Sequence, residues 1–116
     1  MAEFKPFTTE RPWGTFRQFT HNSLSTVKLH RIKPGEETSW QSHTKRSEFW
    51  HIISGSGIIR AGGKEYDVVA GDEYNAPALA KHRLIAGSSG LVLLEIATGD
   101  FDEGDIIRYE DKYGRA

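Results

Sequence analysis

The sequence predicts an all-β fold, and two observations carry the prediction. Short runs rich in β-branched and aromatic residues recur along the chain, each closed by glycine, proline or small polar residues, and no stretch before residue 100 holds a helical period. About eight to ten short strands at such spacing indicate a sandwich or small barrel. With 116 residues, the chain has enough material for one hydrophobic core and one domain.

Taken in order, residues 1–14 contain Pro6, Pro12 and Gly14 without periodicity, so they read as an extended N-terminal arm. The arm ends in the turn Arg11-Pro12-Trp13-Gly14, with Trp13 expected to pack against the barrel, and the barrel domain occupies 15–116. Strands are expected over 15–20, 25–33, 47–54, 56–61, 64–69, 72–75, 82–86 and 90–97. Gly55-Ser56-Gly57 and Gly62-Gly63 have the composition of hairpin turns, and Pro34-Gly35 and Ala70-Gly71 mark further reversals. Trp40, Phe49, Trp50, Tyr66 and Tyr74 alternate with polar neighbours, which points to packing rather than sugar stacking. The charged tail from Asp102 to Arg115 surrounds the apolar pair Ile106-Ile107 and reads as a docked irregular segment or a short helical turn.

Composition removes several function classes. Fifteen Lys and Arg against sixteen Asp and Glu give a net charge of -1 without a basic stripe, so nucleic acid is not an expected partner. No run reaches the roughly 18 apolar residues of a membrane span, and Met1-Ala2-Glu3-Phe4-Lys5-Pro6 lacks a signal-peptide core. The expectation is a cytoplasmic protein without membrane contact. Cysteine is absent, so any metal would be held by imidazole, carboxylate or amide groups.

Such groups cluster. Gly35, Gln41, His43, Glu48 and Gly55 follow the spacing G-x5-Q-x-H-x4-E-x6-G, and a second block runs Gly71-x5-Pro77-x4-His82. Side chains alternate faces along a strand, so Gln41 shares a face with His43, and Glu48 with Trp50 and Ile52. A divalent ion would meet Gln41, His43, Glu48 and His82 and keep open positions for water or substrate, as Lewis-acid chemistry requires.

The two blocks resemble the cupin motifs G-x5-H-x-H-x4-E-x6-G and G-x5-P-x-G-x2-H, with Gln41 in place of the first histidine and Leu79 in place of the glycine. Further segments are similar to the C-terminal domain of type II phosphomannose isomerases: Arg11-Pro12-Trp13-Gly14, Lys33-Pro34-Gly35-Glu36, Arg46-x-Glu48-x-Trp50, Ser54-Gly55, and the tail Gly104 to Arg115. The resemblance runs from about residue 11 to 115. It departs at His43-Thr44-Lys45, where the family usually has three histidines, and at Phe49, where it has one more. In the family this domain often follows a mannose-1-phosphate guanylyltransferase domain, so only the isomerase half carries over to these residues.

The resemblance implies a jelly-roll cupin that binds one divalent ion (Zn, Mn, Co, Ni or Fe) and interconverts mannose 6-phosphate and fructose 6-phosphate through an enediol. Alternatives from other classes are a non-catalytic sugar-binding or regulatory cupin and an Fe(II) oxygenase. Isomerisation needs a base, and Lys45, His30 and Glu95 are the candidates, with Glu95 read equally as a structural acid paired to an arginine such as Arg108. It also needs a phosphate anchor, for which Arg46 leads Lys28, Lys81 and Arg83. Exposed sheet edges need cover, and cupins commonly pair along them, so a homodimer is expected.

Overall fold

A computed structural model describes residues 5–116; the first four residues of the expected arm lie outside the described residues. Nine strands and no helix occur among them: β1 (Phe7–Arg11), β2 (Gly14–Gln18), β3 (Ser25–Ile32), β4 (Trp40–Ser42), β5 (Arg46–Ala61), β6 (Lys64–Val69), β7 (Glu73–Ala76), β8 (His82–Gly99) and β9 (Ile107–Glu110). The all-β expectation holds, and the architecture is that of a cupin.

Two long strands organise the domain. The first half of β5 lies between β7 and the second half of β8, whose other edge carries β3. The second half of β5 lies between β6 and the first half of β8, whose other edge carries β4 and then β9. Each long strand therefore serves both faces of the domain. The expected hairpin turn at Gly55-Ser56-Gly57 does not form; the chain continues through a register shift as one strand. Glycine is required there for close approach: a Cβ on Gly55 would lie 2.1 Å from the Gly90 carbonyl oxygen, and one on Gly57 would lie 2.3 Å from that of Ile85. The separate strands expected over 82–86 and 90–97 are likewise one strand. Its residues Gly87 to Gly90 face only Ser56 between the flanking pairs Gly57–Ala86 and Gly55–Leu91, so the surplus bulges outward. Gly62-Gly63 does form the β5–β6 turn, with both residues at positive φ.

Residues 7–11 of the presumed arm are a strand, paired with β2 in a separate hairpin. Trp13 does not pack on the barrel. It is 73% exposed and stacks on Phe16 of its own hairpin, with ring centroids 6.4 Å apart. The tail is neither irregular throughout nor helical, because β9 pairs with β4. A β4 of three residues has few apolar positions to reveal it, and the partner that makes β9 a strand is about 70 positions away.

Alternation on β5 follows the expected pattern, with Arg46, Glu48, Trp50 and Ile52 buried and the intervening residues more exposed. The apolar core is Trp50, Ile52, Ile59, Val68, Leu84, Leu91 and Leu93 with small alanines between them. Trp50 stacks on Tyr74 at 5.7 Å, as its expected packing role requires, whereas Trp40 lies under the Arg60 guanidinium. On β3 the polarity is reversed. Lys28 and His30 point inward while Val27 and Leu29 are exposed, which signals a polar cavity beneath that strand.

Candidate metal centre and its cavity

The inward residues of the two faces enclose a cavity of about 360 Å³. One face supplies Lys28 and His30 from β3, Glu48 and Trp50 from β5, and Glu95 from β8; the other supplies Gln41 from β4, His82 and Leu84 from β8, and Arg108 from β9. A larger cavity of about 740 Å³ beside Phe19, Leu24 and Phe49 holds none of the sequence-predicted site residues.

His43, Glu48 and His82 converge at the inner end, each buried, with one ligating atom apiece lying within 4.8 Å of the others. Their orientation follows from hydrogen-bond logic. His43 Nδ1 lies 2.8 Å from the Asp105 carbonyl oxygen and His82 Nδ1 lies 3.2 Å from that of Ala80. A carbonyl can only accept, so each Nδ1 carries the proton and each Nε2 keeps its lone pair. Those Nε2 atoms face the Glu48 carboxyl at 3.3 and 3.5 Å.

Burial keeps both imidazoles neutral, lowering His43 and pushing His82 down to about 4, which is the protonation state a metal ligand needs. Burial and the neighbouring Glu95 carboxylate push Glu48 well above the usual glutamate range, against the pull of Arg46. Burial works to raise Glu95, but it is held low by His30, whose Nε2 lies 3.2 Å from Glu95 Oε1, and by its contact with Glu48. Two carboxyl groups and two imidazole lone pairs thus crowd one buried point, and a divalent cation matches that donor set. Gln41 adds to it: its amide nitrogen donates to the Ser39 carbonyl at 3.3 Å and leaves the amide oxygen as an acceptor on the cavity wall. These residues form a possible His-Glu-His metal site.

The tail builds the rest of the wall. The Asp105 carboxylate accepts from Thr44 N, Thr44 Oγ1 and Lys45 N, at 2.9, 2.7 and 2.9 Å, fixing the turn behind His43. Arg83 donates to the Thr38 carbonyl and to Glu110, tying β8 to β9. Arg83 therefore acts as a strut and lies outside the cavity lining. Lys45 is exposed and also outside the lining, because the turn it occupies breaks the strand alternation that would have faced it inward. Lys81 likewise sits outside, over the Tyr109 ring. Arg46 does line the cavity, but its fork is occupied by Glu48 at 3.0 Å, the Asp102 carbonyl at 3.1 Å and His43 Nε2 at 3.4 Å, where a bound ion would take its place, and Phe101 covers its face. Glu95 meets His30 and Trp50, not Arg108.

Comparison with known proteins places this arrangement. The family model described as mannose-6-phosphate isomerase C-terminal matches residues 4–111. The chain belongs to that family. Within the mannose-6-phosphate isomerase C-terminal family, the chain is 36% identical over 107 residues to a mannose-1-phosphate guanylyltransferase of Salmonella montevideo, covering 90% of this chain and 23% of that protein. It thus spans about a quarter of the length of the curated relatives it matches. Among solved structures it is similar to a provisionally assigned sugar phosphate isomerase from Acidithiobacillus ferrooxidans, with a TM-score of 0.59 and 28% identity over 64% of this chain and 49% of that one. It also shares its fold with the capsular polysaccharide assembling protein CapF of Staphylococcus aureus, with a TM-score of 0.67 and 21% identity over 93% and 33% of the two chains.

One departure from the cupin motif has a visible consequence in this family member. Leu79, where the motif has glycine, sits at φ 72°. Left-handed backbone is costly for a leucine, yet its N–H donates to the His43 carbonyl at 2.7 Å. The strain is held beside a residue of the candidate metal site.

Proposed function

We propose that this domain is a metal-dependent aldose–ketose isomerase acting on mannose 6-phosphate and fructose 6-phosphate. The observation that carries the reading is the pair of Nε2 lone pairs aimed at one buried carboxyl at the end of a polar cavity, in a chain of this family. His43, Glu48 and His82, with the Gln41 oxygen, would hold the ion. When bound, a divalent ion supplies Lewis-acid polarisation of a sugar carbonyl and charge stabilisation for an enediolate.

The chain's own groups do the remaining work. The His30–Glu95 pair lies on the cavity wall, with His30 Nε2 3.2 Å from Glu95 Oε1. In the proposed reaction His30 takes the proton from C2 of the open-chain sugar and returns it to C1, the O2 hydroxyl proton passes to O1, and Glu95 balances the charge that develops on the ring. Trp50 and Leu84 exclude water from one side, which favours retention of the proton until it is returned. Pairing of two copies along the outer edge of β3 belongs to the same reading, and light scattering tests it.

The decisive experiment is turnover in deuterium oxide by protein loaded in turn with Zn, Mn, Co, Ni and Fe(II). Fructose 6-phosphate carrying some deuterium at C1, abolished by chelator, is the expected product. Rapid turnover with complete retention of protium at every pH would remove His30 as base in favour of a hydride shift. Absence of turnover with all five ions would leave a sugar-binding module.

A further inference from the structure

We propose that Arg108 anchors the phosphate of the substrate, an inference that rests on the isomerase reading above and assigns a group to the outer end of its cavity. Four cationic side chains besides the histidines line that cavity: Lys28, Arg46, Arg108 and Arg115. Three are already engaged. Lys28 is paired with Glu103 and lies over Phe101. Arg46 is held by Glu48 and backbone carbonyls. Arg115 is bound to Asp111 through its side chain and its backbone N–H. The Arg108 side chain makes no hydrogen bond or close ion pair among the described residues, only a longer-range charge interaction with Asp111, and its Nε is buried without a partner. A buried guanidinium N–H left unpaired is costly, so the site is complete only when an acceptor enters the cavity.

Position supports the assignment. Arg108 lies opposite Gln41 on the neighbouring strand, and Gln41 lies opposite His82 on the next. Residues so paired project from the same face of a sheet, so Arg108, Gln41 and His82 form one row. Two strand spacings separate its ends, about 10 Å between backbones. A hexose 6-phosphate has the same polarity: carbonyl and hydroxyl oxygens at C1 and C2, a dianion at the far end. With C1 and C2 toward His82 and Glu48, the phosphate falls toward Arg108, whose planar fork suits two phosphate oxygens.

The test is equilibrium binding to metal-loaded protein, followed by calorimetry, for mannose 6-phosphate, inorganic phosphate and mannose. Arg108→Gln is expected to weaken mannose 6-phosphate by about 10- to 150-fold, the loss typical of one charged hydrogen-bonding partner, to weaken inorganic phosphate likewise, and to leave mannose unchanged. Arg108→Lys, which keeps the charge without the fork, should fall between, and it carries the test if the glutamine variant does not fold. Equal losses for mannose and mannose 6-phosphate, or no loss for either, would overturn the assignment. Failure of the isomerase reading appears separately, as wild-type protein that binds mannose 6-phosphate selectively through Arg108 but gives no turnover with any of the five ions.

Discussion

The same three residue types meet twice in this protein, with opposite electrostatic outcomes. At the metal centre Glu48 faces Arg46 and the two histidines His43 and His82; on the surface Glu73 faces Arg17 and His51, with oxygen-to-nitrogen distances of 2.6 to 2.8 Å. Glu73 keeps access to water, and its hydrogen bond from Arg17 dominates, so its carboxyl is held below the usual range. Glu48 is 3% exposed, and burial together with the Glu95 carboxylate outweighs Arg46, so its carboxyl is pushed up. The surface cluster is a finished ion-pair network that tethers the β1–β2 hairpin to β7. The buried one is short of positive charge, as a cation site would be. Solvent access, not residue identity, separates a tether from a candidate metal centre.

The largest expected effect comes from removing the ligands. His43→Ala with His82→Ala should abolish stoichiometric metal, a loss exceeding the roughly 10- to 100-fold that follows removal of an outer partner; unchanged metal content by elemental analysis would break the comparison outright. Next, Arg46→Ala leaves a buried carboxyl pair without its cation and should cost about 3–5 kcal/mol in urea denaturation. Arg17→Ala should barely move the same midpoint, and equal effects would mean that burial does not distinguish the two clusters. Leu79→Gly relieves left-handed strain next to His43 and should stabilise the fold by about 1–2 kcal/mol. A neutral or destabilising result would show that the leucine side chain makes up for its backbone.

The smallest effect is confined to the surface cluster. Glu73 has its folded pKa depressed, so its contribution is present above the ordinary glutamate value of 4.5 and is lost as the pH falls below it. Amide exchange across β1 and β2 should therefore accelerate at acid pH before the β5–β8 core opens. Simultaneous opening of both would mean that the tether does not set the stability of the hairpin.

Alternation and spacing were enough to determine the all-β class, the β6 boundaries, the inward face of β5 and the convergence of His43, Glu48 and His82. Each depends on local period or on motif spacing, which survive without knowledge of the partner strand. Local composition misled where a long-range contact decides. Gly55-Ser56-Gly57 looks like a turn in isolation, but these glycines let β5 run against the carbonyls of Ile85 and Gly90, some 30 residues away. Lys45 and Arg46 adjoin the motif equally, yet the Asp105 clamp turns one outward and Glu48 holds the other inward. Arg108 has no local feature that distinguishes it from Arg83. Pairing of β9 with β4 places Arg108 in the cavity, while Thr38 and Glu110 take up Arg83. Which basic residue is left with an unpaired donor depends on every acceptor within reach in three dimensions, and most of those acceptors are backbone carbonyls or acids tens of residues away, so only the tertiary structure decides it.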